Sequence, residues 1–416
     1  MEKLFITSLT IESVRHLKDI TIPLSEEKPK HLILTGRNGS GKTSVLEALA
    51  SYLNSIKELD IKKTAFEFVK RISKSVVKGY FGIENSNEIN NLATNYESSK
   101  DTMIESGIAV DILFSQSLLM LIDCFKDGEF ILAYYKAERS FNSQMPKHVE
   151  KIVLKDYYSM TESPRQLFVK YLLDMKMTEA LARGNGHEEK ADIIYQWFVK
   201  FEELLRQIFE DDSLKLVFDE DDFSFHIKEK NRELFDFNTL SSGYAAILDI
   251  VLDLIVRMEK KTNKSFVFDM QGVVLIDEIE THLHLELQKN ILPMLTTIFP
   301  NIQFIVSTHS PFILNSLEDV VIYDLEKNIM VEHGLSDIPY GGVVEGYFNA
   351  SELSDSLREK YERYKELVKK KELSDEDFEE IARLEMYLNE IPDYLALNIT
   401  TEYQRCKMEF ENREDI

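Results

Sequence analysis

The sequence predicts an α/β fold, and three observations predict it. A glycine-rich loop, Gly36-Arg37-Asn38-Gly39-Ser40-Gly41-Lys42-Thr43, stands between a short apolar run at 31–35 and helical spacing over 44–53. Two more continuous apolar runs, 273–276 and 302–306, have the length of strands buried on both faces. A stretch of helical spacing, 285–298, separates those two runs and is ended by Pro300.

In chain order, residues 4–11 alternate as a strand and 20–24 as its hairpin partner. Residues 58–99 are mixed and polar, with an Asn-rich loop at 84–95. Residues 108–114 alternate again, 115–125 are spaced as a helix, and 130–135 read as a strand. Apolar residues at three- and four-residue spacing fill 164–175, 177–181 and 191–209, with a break at 184–186. A hairpin over 214–218 and 223–228 follows, then a helix over 245–258, a short strand at 266–269 and, after the buried runs, a last strand at 320–323. Charged amphipathic helices occupy 351–371, 374–389 and 400–412; Ser374 with Asp377 forms a capping box, and Pro392 ends the second helix. The expected organisation is two halves of one α/β unit (1–144 and 214–345), an inserted helical lobe (145–213) and a helical appendage (346–416). Amphipathicity alone leaves open whether that appendage only packs or also docks a partner.

The 416 residues carry 49 basic and 73 acidic side chains, a net charge of −24. That excludes a generally basic nucleic-acid-binding surface; nucleic acid would need a local basic groove, such as one assembled in a dimer. The two cysteines, Cys124 and Cys406, are far apart and lack metal-like spacing, which fits a reducing cytoplasm and excludes a disulfide framework or a zinc hook. The N-terminus does not read as a signal peptide. The apolar stretch 247–256 is interrupted by Asp249 and Asp253, so it is expected as a core helix, with no membrane span.

The glycine loop sits in the strand–loop–helix context of a phosphate-binding loop. Gly36, Gly39 and Gly41 let the backbone approach phosphates closely, while Arg37, Asn38, Ser40 and Ser44 complete the loop and the helix start. Lys42 offers a point charge to the β- and γ-phosphates of ATP, and Thr43 offers a hydroxyl to Mg²⁺. Asp277 and Glu278 end a buried run, at the edge where α/β sheets place ligands. Asp277 suits Mg²⁺ and Glu278 suits a water to be activated; two acids capping the next helix is the plain alternative. His309 ends the next run, in Ser307-Thr308-His309-Ser310-Pro311. Leu240-Ser241-Ser242-Gly243-Tyr244 precedes a helix that Ser241 would cap, and an ordinary N-cap is its plain reading.

Together, and in this order, the four segments resemble the phosphate loop, signature, Walker B and histidine switch of an ABC-type ATPase head of the RecF/SMC-like group. The resemblance covers about 1–345 and implies a P-loop NTPase head with a β-subdomain, an inserted helical lobe and the C-terminal helical appendage. It implies ATP, Mg²⁺ and head-to-head dimerisation, with His309 contacting the γ-phosphate and Glu278 and Lys42 acting in hydrolysis. Ser241, Ser242 and Gly243 would face a γ-phosphate held by the partner subunit. Ser242 and Tyr244 depart from the family's Leu-Ser-Gly-Gly-Gln, which puts the contact of Tyr244 in doubt.

The run Leu275-Ile276-Asp277-Glu278-Ile279-Glu280-Thr281-His282-Leu283-His284 is typical of RecF- and SMC-like heads and places 280–284 in the loop crossing the dimer seam. Its two histidines invite a zinc reading, but too few other ligands stand nearby. Ala133-Tyr134-Tyr135-Lys136-Ala137-Glu138-Arg139 is similar to a segment of overcoming-lysogenization-defect and related defence ATPases that ends in an arginine near the nucleotide. Arg139 is thus a candidate γ-phosphate or lobe-coupling residue, with a surface salt bridge as the alternative. No Q-loop glutamine stands out, and Gln116 is the stand-in.

Roughly 200 residues between Thr43 and Leu240 lack the apolar heptads of a long coiled coil, which excludes an SMC protein with arms. The tail after His309, about 100 residues, is too short and wrongly patterned for a Toprim nuclease, and no HNH cluster is present. The chain is therefore expected to cut nothing by itself. It most resembles ATPase subunits of bacterial anti-phage systems, Septu and retron-linked, which act with an HNH nuclease. That implies an ATP-driven switch on a separate effector. A RecF-like repair ATPase that loads on DNA, and a nucleotide-bound scaffold with negligible turnover, are the two alternatives.

Overall fold

A computed structural model describes residues 3–55, 108–139, 141–144, 146, 148–230, 233–339, 342–343, 355–389 and 397–413. The polar stretch 58–99, with its expected loop, lies outside them. The chain divides into two compact units, Met1–Asp337 and Ile338–Ile416.

The first unit opens with the expected hairpin, β1 (Ile6–Val14) and β2 (Leu17–Pro23), in which Leu9 faces Ile22 and Ile11 faces Ile20. Pairing runs to Val14 and Leu17 because Arg15 adopts φ 54° in the tight turn. Then come β3 (His31–Thr35), α1 (Lys42–Ser55), β4 (Ile108–Phe114), α2 (Leu118–Lys126) and β5 (Phe130–Tyr135). β4 completes a three-stranded antiparallel sheet on the other side of β1.

A single 3₁₀ turn, Pro164–Leu167, leads into α3 (Phe168–Gly184) and α4 (Glu188–Phe209). The two runs expected at 164–175 and 177–181 form one helix from Phe168, because the polar break at Lys176 is met by an ion pair with Glu179 at 2.9 Å. Phe168, Trp197, Phe201 and Phe237 fill the space between these helices. The hairpin β6 (Lys215–Asp219) and β7 (Ser224–Lys228) follows, then α5 (Ser242–Thr262), β8 (Gln271–Ile276), α6 (Leu285–Ile298), β9 (Ile302–Ser307), the one-turn α7 (Pro311–Leu314) and β10 (Val320–Asp324). The strand expected at 266–269 does not form: Lys264 and Phe266 take φ 63° and 56°, and Phe266 packs edge-on to Trp197 and Phe268. A strand that carries no periodic signal, β11 (Ile329–Val331), turns back on β10 at Asn328, φ 53°.

The second sheet has the order β11-β10-β3-β9-β8-β5. All pairings from β10 to β5 are parallel, and only β11 is antiparallel. This is the α/β class expected from the three continuous apolar runs; Val273 to Ile276 are fully buried, as such runs require. α1 packs Val45, Leu46 and Leu49 into a core shared by Ile11 and Ile22 of the first sheet and Leu132 and Leu275 of the second. Gln303, fully buried in β9, joins the sheets: its amide donates to Ile6 O at 2.9 Å and Lys30 O at 2.8 Å and accepts Ile6 N–H at 2.7 Å.

α5 is buried on every side from Ala246 to Glu259 and still carries four charged residues. Each has partners, the condition under which buried charge is tolerated. Asp253 accepts from Tyr135 Oη at 2.8 Å, Arg257 Nε at 2.6 Å and Arg165 N at 3.2 Å. Arg257 also donates to the carbonyls of Leu132, Tyr158, Ser159 and Glu162. Asp249 forms an ion pair with Arg165. Glu259 accepts from Tyr171 Oη at 2.9 Å and Trp197 Nε1 at 3.2 Å.

The second unit holds α8 (Asp355–Lys369), α9 (Asp375–Asn389) and α10 (Leu397–Glu411) around Tyr361, Tyr364, Leu367, Ile381, Leu388 and Tyr403. The expected capping box forms: Ser374 Oγ accepts Asp377 N–H at 3.2 Å, and Asp377 Oδ2 accepts Ser374 N–H at 2.8 Å.

Candidate nucleotide-binding site

β3, β8, β9 and β10 are parallel neighbours, so the loops leaving their C-terminal ends converge on one edge of the sheet. Residues 36–44, 277–278, 308–310 and 324–326 meet there, although the sequence spreads them over most of the unit.

The loop after β3 needs its glycines. Gly36, Gly39 and Gly41 have φ 128°, 85° and 101°, which side chains rarely adopt. A Cβ on Gly36 would stand 2.9 Å from Ser40 Oγ, and one on Gly41 would stand 2.8 Å from Leu17 Cδ1. Ser40 N closes the turn on Arg37 O at 3.1 Å. Among the described residues, the N–H groups of Gly39, Gly41, Lys42 and Thr43 donate to no protein acceptor, and Ser40 Oγ is buried without a partner. Such a loop, opening the N-terminus of α1, fits an anion of several oxygens. Arg37 is exposed, as are Asn38 and Gly39; it pairs with Glu326 at 2.7 Å and its N–H donates to the same carboxylate. Asn38 joins Arg37, Gly39 and Ser40 along an open groove of about 560 Å³ that reaches His16 and Asn328. Ser44 is buried on the first turn of α1.

Lys42 is 5% exposed. Its Nζ donates to Gly36 O at 2.9 Å and Arg37 O at 3.2 Å and meets His309 Nε2 at 2.7 Å. Burial lowers the pKa of Lys42, opposed by the charges of Glu278, Glu280, Asp277 and Asp324. Burial, and then the nearby Lys42 charge, also lowers that of His309.

Asp277 is buried at the end of β8; Ser307 Oγ donates to its Oδ1 at 2.6 Å, and its other oxygen takes no hydrogen bond among the described residues. With the exposed hydroxyl of Thr43, that free oxygen gives a hard-oxygen pair suited to Mg²⁺. Among the described residues the carboxylate of Glu278 accepts only from Thr281 Oγ1, at 3.3 Å. Its backbone is left-handed, φ 43°, a conformation that costs about 1 kcal/mol for such a residue. Three contacts hold it: Glu278 N–H donates to Ser307 Oγ at 2.7 Å, and its carbonyl accepts from Arg139 and from Thr281 N–H at 2.9 Å. The capping alternative for the two acids fails, since α6 begins only at Leu285.

Arg139 is no surface salt bridge. It is 4% exposed, and its guanidinium donates to the carbonyls of Asp277 (2.6 Å), Glu278 (2.8 Å), Ile279 (3.1 Å) and Lys136 (3.1 Å). A buried guanidinium is satisfied best by several fixed acceptors; the turn offers three and the Arg139 segment itself a fourth.

Three bracing groups carry no local sequence signal. Ser307 links Asp277 and Glu278. Glu280 accepts His309 N–H at 2.5 Å and Thr308 Oγ1 at 2.8 Å, which sets the His309 backbone. Asp324, at the end of β10, accepts the N–H groups of Glu326 and Lys327 and so shapes the turn that meets Arg37.

At the start of α5, Ser241 holds the N-cap position with extended backbone, and Ala245 N–H donates to its carbonyl at 2.9 Å. The expected side-chain cap is not made, and both Ser241 and Ser242 are exposed. Gly243 is buried because a Cβ there would stand 3.1 Å from His282 O. Tyr244 stacks on Phe209 at 4.2 Å, which accounts for a large residue at that departure. Among the described residues no hydrogen bond joins 241–243 to 36–44. Gln116 is half-exposed and takes no part in the cluster. His282 and His284 belong to no group of potential metal ligands among the described residues.

Residues 162–315 match the family described as "AAA domain, putative AbiEii toxin, Type IV TA system". The chain is 25% identical to the Septu protein PtuA of Bacillus mycoides over 403 residues, covering 90% of this chain and 48% of that protein. It is 33% identical to the Retron Ec83 probable ATPase of Escherichia coli over 156 residues, 36% of this chain and 29% of that one. It is 36% identical to the DNA replication and repair protein RecF of Rickettsia prowazekii over 110 residues, 24% of this chain and 29% of that one. The chain thus spans about half the length of the Septu relative and less of the others. The expected resemblance to Septu, retron-linked and RecF-type proteins is borne out.

Proposed function

We propose that this protein binds and hydrolyses ATP with Mg²⁺, dimerises through its heads, and acts as the regulatory subunit of an anti-phage system controlling a separate effector, a nuclease in the first instance. The observation that carries the ATPase reading is the convergence of Lys42, Asp277, Glu278 and His309 on one sheet edge beside a loop whose Gly39, Gly41, Lys42 and Thr43 N–H groups meet no acceptor among the described residues. Lys42 and the N–H groups of Gly39, Gly41 and Thr43 would bind the phosphates. Mg²⁺, held by Thr43 and Asp277, would neutralise charge on the β- and γ-phosphates. Glu278 would orient the attacking water and accept its proton, while His309 would hold the γ-phosphate.

The exposed, uncapped Ser241 and Ser242 favour a role for the signature in trans, since their hydroxyls are not consumed by the helix they open. ATP shared between Lys42 of one copy and Ser241 of another would close the heads, and turnover or ATP depletion would release them. The Septu and retron relatives support the defence assignment. We assign the helical segment 145–213 as an inserted lobe of the head, and 346–416 as a separate helical appendage. No described helix is long and apolar enough to cross a membrane, and both cysteines are free; we assign a cytoplasmic site of action.

The RecF relative supports a second reading, a repair ATPase loaded on DNA. Phosphate release by the wild type and by Glu278→Gln tests the catalytic assignment: the variant is expected to keep ATP affinity and lose at least about 10²-fold in turnover. Unchanged turnover would refute it. Recovery of tagged Glu278→Gln with ATP from its host decides between the readings: a stoichiometric nuclease supports the defence subunit, and DNA without a protein partner supports repair. A wild type that dimerises with ATP and releases no phosphate would be a scaffold.

A further inference from the structure

Glu278 reaches its position through an unusual backbone, and the groups that hold it lead away from the phosphate loop. Arg139, on the segment after β5, spreads its two terminal nitrogens over three successive carbonyls, those of Asp277, Glu278 and Ile279. Three carbonyls in a row can converge on one planar fork only if the chain turns sharply between them, and the φ of 43° at Glu278 is that turn. A lysine could not reproduce it, since an ammonium is a point donor with no fork.

Arg139 is buried, and its Nε meets no acceptor. Carbonyl oxygens satisfy its donors without neutralising its charge. The carboxylate acting most strongly on that charge is Asp249, ahead of Glu280, Asp277 and Glu278. Asp249 lies two turns into α5, the helix that the signature residues open. Its other side is tied to Arg165, on the 3₁₀ turn that enters the helical lobe, and Arg165 also reaches Asp253. Among the described residues no carboxylate forms an ion pair with Arg139, so its guanidinium is held by the carbonyls of Lys136, Asp277, Glu278 and Ile279.

We propose that Arg139 is a positioning residue for hydrolysis, setting the Glu278 turn through the three carbonyls. Displacement of the segment after β5 then alters how Glu278 is presented while leaving the phosphate loop unchanged. This inference rests on the hydrolytic role given to Glu278 above.

The test compares Arg139→Lys, Arg139→Gln and Glu278→Gln in the full chain. Steady-state phosphate release gives kcat, and titration with a fluorescent ATP analogue gives affinity. Arg139→Lys is expected to lower kcat by roughly 10- to 100-fold while analogue affinity stays within about twofold. Arg139→Gln, an uncharged amide with one nitrogen for three carbonyls, is expected to lower kcat by at least about tenfold, again without loss of affinity. A merely structural role would lower affinity and thermal midpoint together with kcat. Wild-type kcat in Arg139→Lys, or affinity falling in parallel with kcat, overturns the proposal while leaving Glu278 in its role if Glu278→Gln is inactive. Wild-type turnover in Glu278→Gln overturns both. Should Arg139→Lys fail to fold, Arg139→Gln decides: unchanged kcat rejects the proposal.

Discussion

Lys42 Nζ stands 2.7 Å from His309 Nε2. With Gly36 O and Arg37 O, this gives the ammonium three acceptors for its three N–H bonds. His309 must therefore accept on Nε2, which fixes the neutral imidazole with its proton on Nδ1. Its pKa lies below the ordinary 6.5, from burial first and Lys42 second. A histidine so placed stays neutral as pH falls past 6.5 and charges only on reaching its depressed pKa. The acid limb of the kcat–pH profile is thus expected to have its midpoint below 6.5. His309→Gln is expected to lose that limb along with roughly 10²-fold in rate, as a pH series of phosphate release would read.

Gly36→Ala places a methyl 2.9 Å from Ser40 Oγ in a backbone with φ 128°. The expected result is a destabilisation of about 1–3 kcal/mol and weaker nucleotide binding. Urea unfolding and analogue titration measure the two separately, and wild-type values in both would show that the loop has another conformation.

His31 supplies a pH effect independent of the site. Its Nδ1 accepts Phe304 N–H at 3.1 Å, and burial, against a smaller opposing effect of Asp319, lowers its pKa from 6.5 to about 4. The unfolded chain protonates first, so stability is full above 6.5 and is lost as pH falls toward 4, by up to roughly 3 kcal/mol. His31→Gln is expected to flatten that part of the curve of urea midpoint against pH.

Arg257→Met leaves Asp253 buried with its main counter-charge gone, together with four carbonyl contacts. Breaking a buried pair from one side costs about 3–5 kcal/mol. Thermal unfolding should show a large loss, partly recovered when Asp253→Asn is added.

The residues legible in the sequence were those whose chemistry is packed into a few adjacent positions. Gly36 to Thr43 and the pair Asp277–Glu278 announce themselves because loop and strand end impose residue type locally. Buried strands 273–276 and 302–306 were legible for a similar reason, since both faces are covered. Ser307 and the carbonyl grip of Arg139 were not, because they act on Asp277 from 30 and 138 residues away across the sheet. The strand expected at 266–269 failed because aromatic packing around Trp197, a tertiary matter, overrides local pattern. The uncapped Ser241 shows the same limit from the other side: a residue type suited to capping was read as doing so.

The strand order also constrains how the molecule is made. β3, which carries the phosphate loop, is flanked by β9 and β10, both near the far end of the first unit. During synthesis the loop emerges early, on a strand whose two neighbours do not yet exist. Until Val320–Asp324 has left the ribosome, the first half of the chain can display its glycines but cannot set them beside Asp277, His309 and Asp324.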